Sequence, residues 1–171
     1  MLFHMAIIIM GIDPGTATTG YGVIEADKQD CRLVAFGTVR TTQSNTRAER
    51  LRIIHDRLGE LIAQHGPHAV AVEQLFFSRN VSTAMAVGEA RGIVLLAAAQ
   101  RGLPVHEYTP SAVKQSLSGW GRADKNEMKQ MVAMALDMPK PPTPDDAADA
   151  LAIALCHLYQ ARLDRSLEVT A

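Results

Sequence analysis

Apolar residues along this chain alternate between strand-like runs and helix-like spacing, and the changes of period divide it into short strands and longer helices. Residues 6–12 form an almost uninterrupted apolar run with several β-branched members, the pattern of a strand buried on both faces and therefore central in its sheet. Residues 15–20, Gly-Thr-Ala-Thr-Thr-Gly, read as a turn. Residues 21–24 and 33–39, separated by the polar stretch 25–30, continue as strands, so the first forty residues predict an antiparallel meander. Between 46 and 64, Leu51, Ile54, Leu58, Leu61 and Ile62 recur at helical spacing, and Gly66-Pro67 stops the helix. Residues 68–72 are a second interior strand. Strand, helix and strand in that order favour a right-handed crossover to a parallel neighbour. Asp13 and Glu73 then fall at the carboxyl ends of adjacent strands, where open α/β sheets build their sites.

The second half predicts helix 81–100, strand 104–107, helix 111–117, a break at Gly119-Trp-Gly-Arg-Ala-Asp124 and helix 125–136. The proline-rich segment 139–144 reads as a rigid extended linker. Helix 145–159 turns Leu151, Leu155 and Leu158 inward, and residues from Arg162 on read as a loose tail. In helix 81–100, Ala84, Gly88 and Gly92 form a ridge of small residues at four-residue spacing. Interior glycines cost a helix up to about 1 kcal/mol each, so the ridge calls for close packing, against the sheet or against a second subunit.

A chain of 171 residues with 47% hydrophobic and 20% charged residues suits one folded domain and argues against disorder. Residues 1–4 read as a dispensable extension, with Met5 an alternative start. The apolar N-terminus lacks the basic residues of a signal peptide, and no apolar run approaches the roughly 20 residues of a membrane span. Cys31 and Cys156 are far apart and read as reduced thiols, which predicts a cytoplasmic location; the lack of a spanning run predicts no membrane association.

Four acids in three segments carry the chemistry: Asp13 in Gly-Ile-Asp-Pro-Gly, Glu73 after the strand 68–72, and Asp146 with Asp149 in Asp-Asp-Ala-Ala-Asp. Each has an ordinary structural explanation. Asp13 before Pro-Gly is a good turn former, and Asp145 and Asp146 suit the first turn of a helix with Thr143 as N-cap and Pro144 at the first helical position. Capping leaves Asp149 unexplained, since it lies one turn past Asp146 on the same face of an Ala- and Leu-rich helix. Glu73, ending an interior strand, needs a partner. Brought together, two such carboxylates at about 4 Å repel by on the order of 4 kcal/mol at an effective dielectric near 20. Divalent cations relieve that, and Mg²⁺ takes hard oxygen ligands while keeping positions for water and phosphate. Paired metals on clustered carboxylates hydrolyse phosphodiesters without a nucleophilic side chain. No Gly-x-Ser-x-Gly is present, and the six histidines are scattered.

The segment after Glu73, Gln-Leu-Phe-Phe-Ser-Arg-Asn, predicts a rim loop. There an exposed Phe can stack on an unpaired base, worth about 1–3 kcal/mol, with Arg79 and Asn80 beside it. The net charge of −1 does not advertise a nucleic-acid binder, although two bound Mg²⁺ would take it to +3. Basic residues cluster at Arg47, Arg50, Arg52 and Arg57 and again at Lys114, Arg122, Lys125 and Lys129; the first group suits either a DNA-facing surface or a solvated helix face.

Nearly the whole chain resembles the RuvC-type Holliday-junction resolvases of bacteria. The resemblance rests on Gly-Ile-Asp13-Pro-Gly with Thr19-Gly20-Tyr-Gly-Val, Val-Glu73-Gln-Leu-Phe76, Gly88-Glu-Ala-Arg-Gly92, Val113-Lys114-Gln and Asp146-Ala-Ala-Asp149-Ala-Leu-Ala. It implies a single α/β domain of RNase H-like fold, with a five-stranded mixed sheet flanked by helices, acting as a homodimer. It further implies Mg²⁺-dependent nicking of two like-polarity strands of a four-way DNA junction, with about two Mg²⁺ per subunit, Mn²⁺ as a substitute, and a branch-migration partner of the RuvA-RuvB type. By the same resemblance Asp13, Glu73, Asp146 and Asp149 are catalytic metal ligands, Phe76 is the base-contacting aromatic, and Lys114 and Lys125 bind phosphate. Asp145 competes with Asp146 for its role. Three other readings stay open: a ribonuclease of the same fold, a non-catalytic junction-binding protein, and an actin-like ATPase, for which a second domain and phosphate loop are missing.

Overall fold

A computed structural model describes residues 6–27, 30–74 and 81–169, the side chains of 81, 82 and 165–169 excepted. Its sheet has the order β3-β2-β1-β4-β5. Strands β1 (Ile7–Asp13), β2 (Thr18–Ala26) and β3 (Cys31–Arg40) form the antiparallel meander, while β4 (Ala69–Glu73) lies parallel to β1 and β5 (Val105–Tyr108) parallel to β4. Strand β2 starts at Thr18, inside the predicted turn, because Thr18, Thr19 and Gly20 pair with Arg40, Val39 and Thr38 of β3.

The apolar run of β1 feeds two cores. Met10 and Ile12 pack with Val23, Val70 and Val72 under α1 (Arg47–His65) and α2 (Val81–Ala99). Ile9 packs with Ile24 and Ala71 on the other face, under α3 (Pro110–Ser118), α4 (Lys125–Ala135) and α5 (Asp145–Val169). Strand alternation therefore turns Asp13 and Glu73, two residues beyond Gly11 and Ala71, toward α5.

Helix α5 presses directly on the sheet because glycines clear its path. A Cβ on Gly22 would lie 2.6 Å from the Leu151 side chain, and a Cβ on Gly11 would lie 2.7 Å from the backbone nitrogen of Ala154. Gly11 and Gly22 are register partners, so the groove crosses β1 and β2 under α5. Residues 147, 148 and 150–156 are correspondingly buried.

Two expectations for this helix are corrected. The carbonyl of Pro144 accepts the N–H of Ala148 at 3.1 Å, so Pro144 holds the cap position that Thr143 is expected to fill. The helix also continues to Val169 where the sequence suggests a loose tail from Arg162. There Arg162 Nη2 donates to the carbonyls of Asp27 and Asp30, at 3.0 and 3.1 Å, and ties the extension to the β2–β3 turn. Of the scattered histidines, His157 is buried, stacked on His106 at 4.2 Å, and shares a 2.7 Å hydrogen bond between its Nδ1 and the Tyr108 hydroxyl.

Candidate active site

Strand register assembles the first two acids. β1 and β4 pair in parallel up to Ile12 and Val72, so Asp13 and Glu73 are the next residue on each strand. On the β2 side Gly20 is the register partner of Asp13. A Cβ on Gly20 would overlap the carbonyl of Asp146, which seats the first turn of α5 directly on β2, beside Asp13. The sequence signal for this seat is Gly20-Tyr-Gly22: glycines two apart share one face of a strand and mark a close backbone approach.

The acids sense one another. Burial pushes the Asp13 carboxyl up to about 7, helped by the negative charges of Asp149, Glu73 and Asp146 and opposed by Lys125. Glu73 is raised by burial and by Asp149, with Lys114 acting against the shift. Asp149 is raised mainly by burial, with Lys125 opposing and Asp145 and Asp146 adding to it. Asp145 differs. It is exposed, paired with Lys129 and 3.7 Å from Lys125, and these lysines hold its carboxyl below the usual range. The ambiguity between neighbouring Asp145 and Asp146 is thereby narrowed, since Asp145 is turned to the lysines of α4.

A cavity of about 200 Å³ opens between the acids and the α3–α4 pair. Glu73, Lys114, Lys125 and Asp149 line it, over an apolar floor that includes Val113 and Met128. Local sequence fixes both lysines: Thr109 caps α3 with Pro110 in its first turn, and Asp124 with Glu127 forms the capping box of α4 immediately before Lys125. Among the described residues no group of three or more His, Cys, Asp or Glu side chains is compact enough to hold a metal by itself, so the expected four-ligand set is not drawn to one point here. The donor chemistry nevertheless fits Mg²⁺, which is held through one or two carboxylates and completes its shell with water and phosphate oxygens. Phe76, Arg79 and Asn80 lie outside the described residues.

This sheet order, with acids of β1, β4 and α5 on one face, defines an α/β protein of the RNase H-like class. The profile of the family described as Crossover junction endodeoxyribonuclease RuvC matches residues 9–157. The relative of that name from Roseiflexus sp. (strain RS-1) is 51% identical over 93% of this chain and 95% of its own length. That from Pelotomaculum thermopropionicum is 48% identical over 95% and 99%. The structure of T. thermophilus RuvC in complex with Holliday junction substrate superposes with a TM-score of 0.88 at 42% identity, covering 92% of this chain and 96% of that one. The yeast mitochondrial Holliday junction resolvase, at 16% identity and a TM-score of 0.64, shares the fold. The chain belongs to the RuvC family of crossover junction endodeoxyribonucleases.

Proposed function

We propose that this chain resolves four-way DNA junctions in recombination and repair, nicking two strands of like polarity to leave 5′-phosphate and 3′-hydroxyl ends. The observation that carries the reading is the meeting of acids from β1, β4 and α5: Gly20 pairs with Asp13 and lies under Asp146, and Glu73 and Asp149 line one cavity with Lys114 and Lys125. Burial, helped by the neighbouring negative charges, raises the Asp13 carboxyl. Such a group is poised to exchange its proton for a cation.

Nucleases of this family are metal-dependent, and the carboxylates assigned here to Mg²⁺, with Mn²⁺ as substitute and two ions per subunit, are Asp13, Glu73, Asp146 and Asp149. When bound, the metal activates the attacking water and stabilises the leaving 3′ oxygen. The chain's own residues bind and orient the substrate. Lys114 and Lys125, which line the cavity together with Glu73 and Asp149, meet the scissile phosphate as point charges. Phe76 stacks on an unpaired base at the crossover, and Arg79 and Asn80 hold the adjoining backbone.

Two cuts per junction call for two sites, hence a homodimer. An exposed stretch of α2 supports this: Leu96 is 47% exposed and Gly92 has open space where a Cβ would stand, so the small-residue ridge is available to a second subunit. The same reading takes the chain as one nuclease domain working in the cytoplasm beside a branch-migration motor of the RuvA-RuvB type. Among the described residues no helix is long and apolar enough to cross a membrane.

The experiment compares Mg²⁺-dependent cleavage of a four-way DNA junction, a linear duplex and an RNA–DNA hybrid. Symmetric nicks in the junction alone are expected; preferential cutting of the hybrid would make this a ribonuclease, and binding without cutting a junction-binding protein.

A further inference from the structure

We propose that the groove between the β1–β2 turn, the start of α1 and the first half of α2 is a second DNA contact, occupied by the sugar–phosphate backbone of a duplex arm outside the crossover. The inference rests on the junction-resolving reading above and adds to it a binding site away from the acids. The groove encloses about 680 Å³ and is lined by Thr16, Asn45, Arg47, Arg50, Met85 and Glu89, among others. Thr16 stands three residues past Asp13, so the groove opens at the end of the sheet where the acids gather.

Its walls are preformed. The Thr41 hydroxyl donates to the Thr16 carbonyl at 2.6 Å and the Thr41 N–H to the Ala17 carbonyl at 3.0 Å, fastening the β3–α1 loop to the β1–β2 turn. Arg47 Nε donates to Glu89 Oε2 at 2.6 Å and bridges α1 to α2. A backbone that docks here meets walls already in position.

Charge selects the occupant. Of the four arginines of α1, Arg52 and Arg57 are matched along the helix by Asp56 and Glu60 and belong to a solvated face. Arg47 is matched by Glu89. Arg50 is half-buried in the groove, where its Nε donates to the Asn45 carbonyl at 3.3 Å, and it has no ion-pair partner among the described residues. Two guanidinium groups against one carboxylate leave the groove positive, with Arg50 as the uncompensated charge. Phosphate suits a guanidinium fork, and the arms of the substrate carry phosphates beyond the crossover. Glu89 is the opposing element: it withholds Arg47 and repels an incoming phosphate.

The test exploits that opposition. Binding of a four-way junction is followed by fluorescence anisotropy in Ca²⁺ across 50–200 mM salt, for the full chain and for Arg50→Ala and Glu89→Gln, with thermal melting to verify folding. Arg50→Ala is expected to bind roughly three- to tenfold more weakly, with the slope of log K against log salt shallower by about one. Glu89→Gln is expected to bind roughly threefold more tightly, with a steeper slope. Damage to the fold cannot give changes of opposite sign. The proposal is overturned if both variants keep the affinity and slope of the parent chain, or if both weaken binding alike. A parent chain that binds no junction at all would instead remove the resolvase reading, and this contact with it.

Discussion

Gly20 lies directly beneath Asp146 and pairs across the sheet with Asp13. One glycine thus sets the separation between an acid of β1 and an acid of α5. Replacing it by Ala forces the first turn of α5 away from β2, because the obstructing atoms are backbone and cannot rotate aside. Gly20→Ala is expected to lose about 1–3 kcal/mol of stability. Its junction nicking should fall by about tenfold to a hundredfold, since small displacements of catalytic groups carry rate penalties of that size, while junction binding is retained. Gly66 supplies the control. It closes α1 at φ 54° with open space around it, so Gly66→Ala should cost about 1–2 kcal/mol of backbone strain and leave nicking intact. Equal nicking by the two variants would show that the seat of Asp146 does not matter.

Neighbouring aspartates on α5 should behave differently. Asp145 is engaged by Lys129 and Lys125, whereas Asp146 and Asp149 contribute to the field on Asp13. Asp145→Asn is expected to nick junctions within about threefold of the parent chain, its surface pairs being worth little. Asp146→Asn and Asp149→Asn are expected to lose about a hundredfold or more, above the penalty usual for residues that only support a ligand. Single-turnover nicking measures both, and a crippled Asp145→Asn would transfer the role of Asp146 to it.

Legibility in the sequence followed the range of the interactions. The apolar run of β1 and the helical spacing of Leu51, Ile54, Leu58 and Leu61 are local signals, and the strand order and the placement of Asp13 and Glu73 emerge from them. The path of α5 is not local. Its contact with Gly11, Gly20 and Gly22 joins segments more than a hundred residues apart, and only the alternation of Gly20 and Gly22 hints at it. The segment from Arg162 reads as a loose tail because chain ends are poorly ordered unless tied down, and the tie is non-local: Arg162 is anchored by two carbonyls of a distant turn. Burial of His157 depends likewise on Tyr108, which β5 brings to it. The roles of the acids came from motif resemblance, since spacing alone left capping and turn formation equally able to explain Asp146 and Asp13.

The metal-free protein should lose stability as pH rises through the range where Asp13 ionises. A folded-state pKa of about 7, against 3.8 for an aspartate free in water, means that the folded state binds the proton more tightly. The associated stability is complete below about pH 4 and is lost as pH climbs to about 7. At about 1.4 kcal/mol per pKa unit this amounts to on the order of 4 kcal/mol. Glu73 and Asp149 act in the same direction. His157 acts oppositely: burial lowers it to about 4, so its contribution is present above about 6.5 and fades as pH falls. Comparison with Asp13→Asn cancels the His157 effect. Denaturant unfolding in EDTA is expected to show Asp13→Asn gaining on the parent chain between pH 4 and 7, and a constant difference across that range would count against the buried, repelled Asp13.

Cation binding should reverse the penalty in a way that melting alone can detect. A ligand that binds only the folded state adds about 2.7 kcal/mol at a hundred times its Kd. For a chain of this size each kcal/mol raises Tm by about 2–4 °C, so saturating Mg²⁺ at pH 7.5 is expected to raise Tm by about 5–10 °C over EDTA. Ca²⁺, another oxygen-seeking cation, should also raise it without supporting nicking. Asp13→Asn removes both an acid held up by burial and by three neighbouring carboxylates and much of the repulsion a cation relieves, so its Mg²⁺-induced rise should shrink to below about 2 °C. Asp145→Asn, outside the cluster, should keep the full rise. An Asp13→Asn protein that gains as much from Mg²⁺ as the parent chain would place the cation elsewhere and dissociate these carboxylates from metal binding.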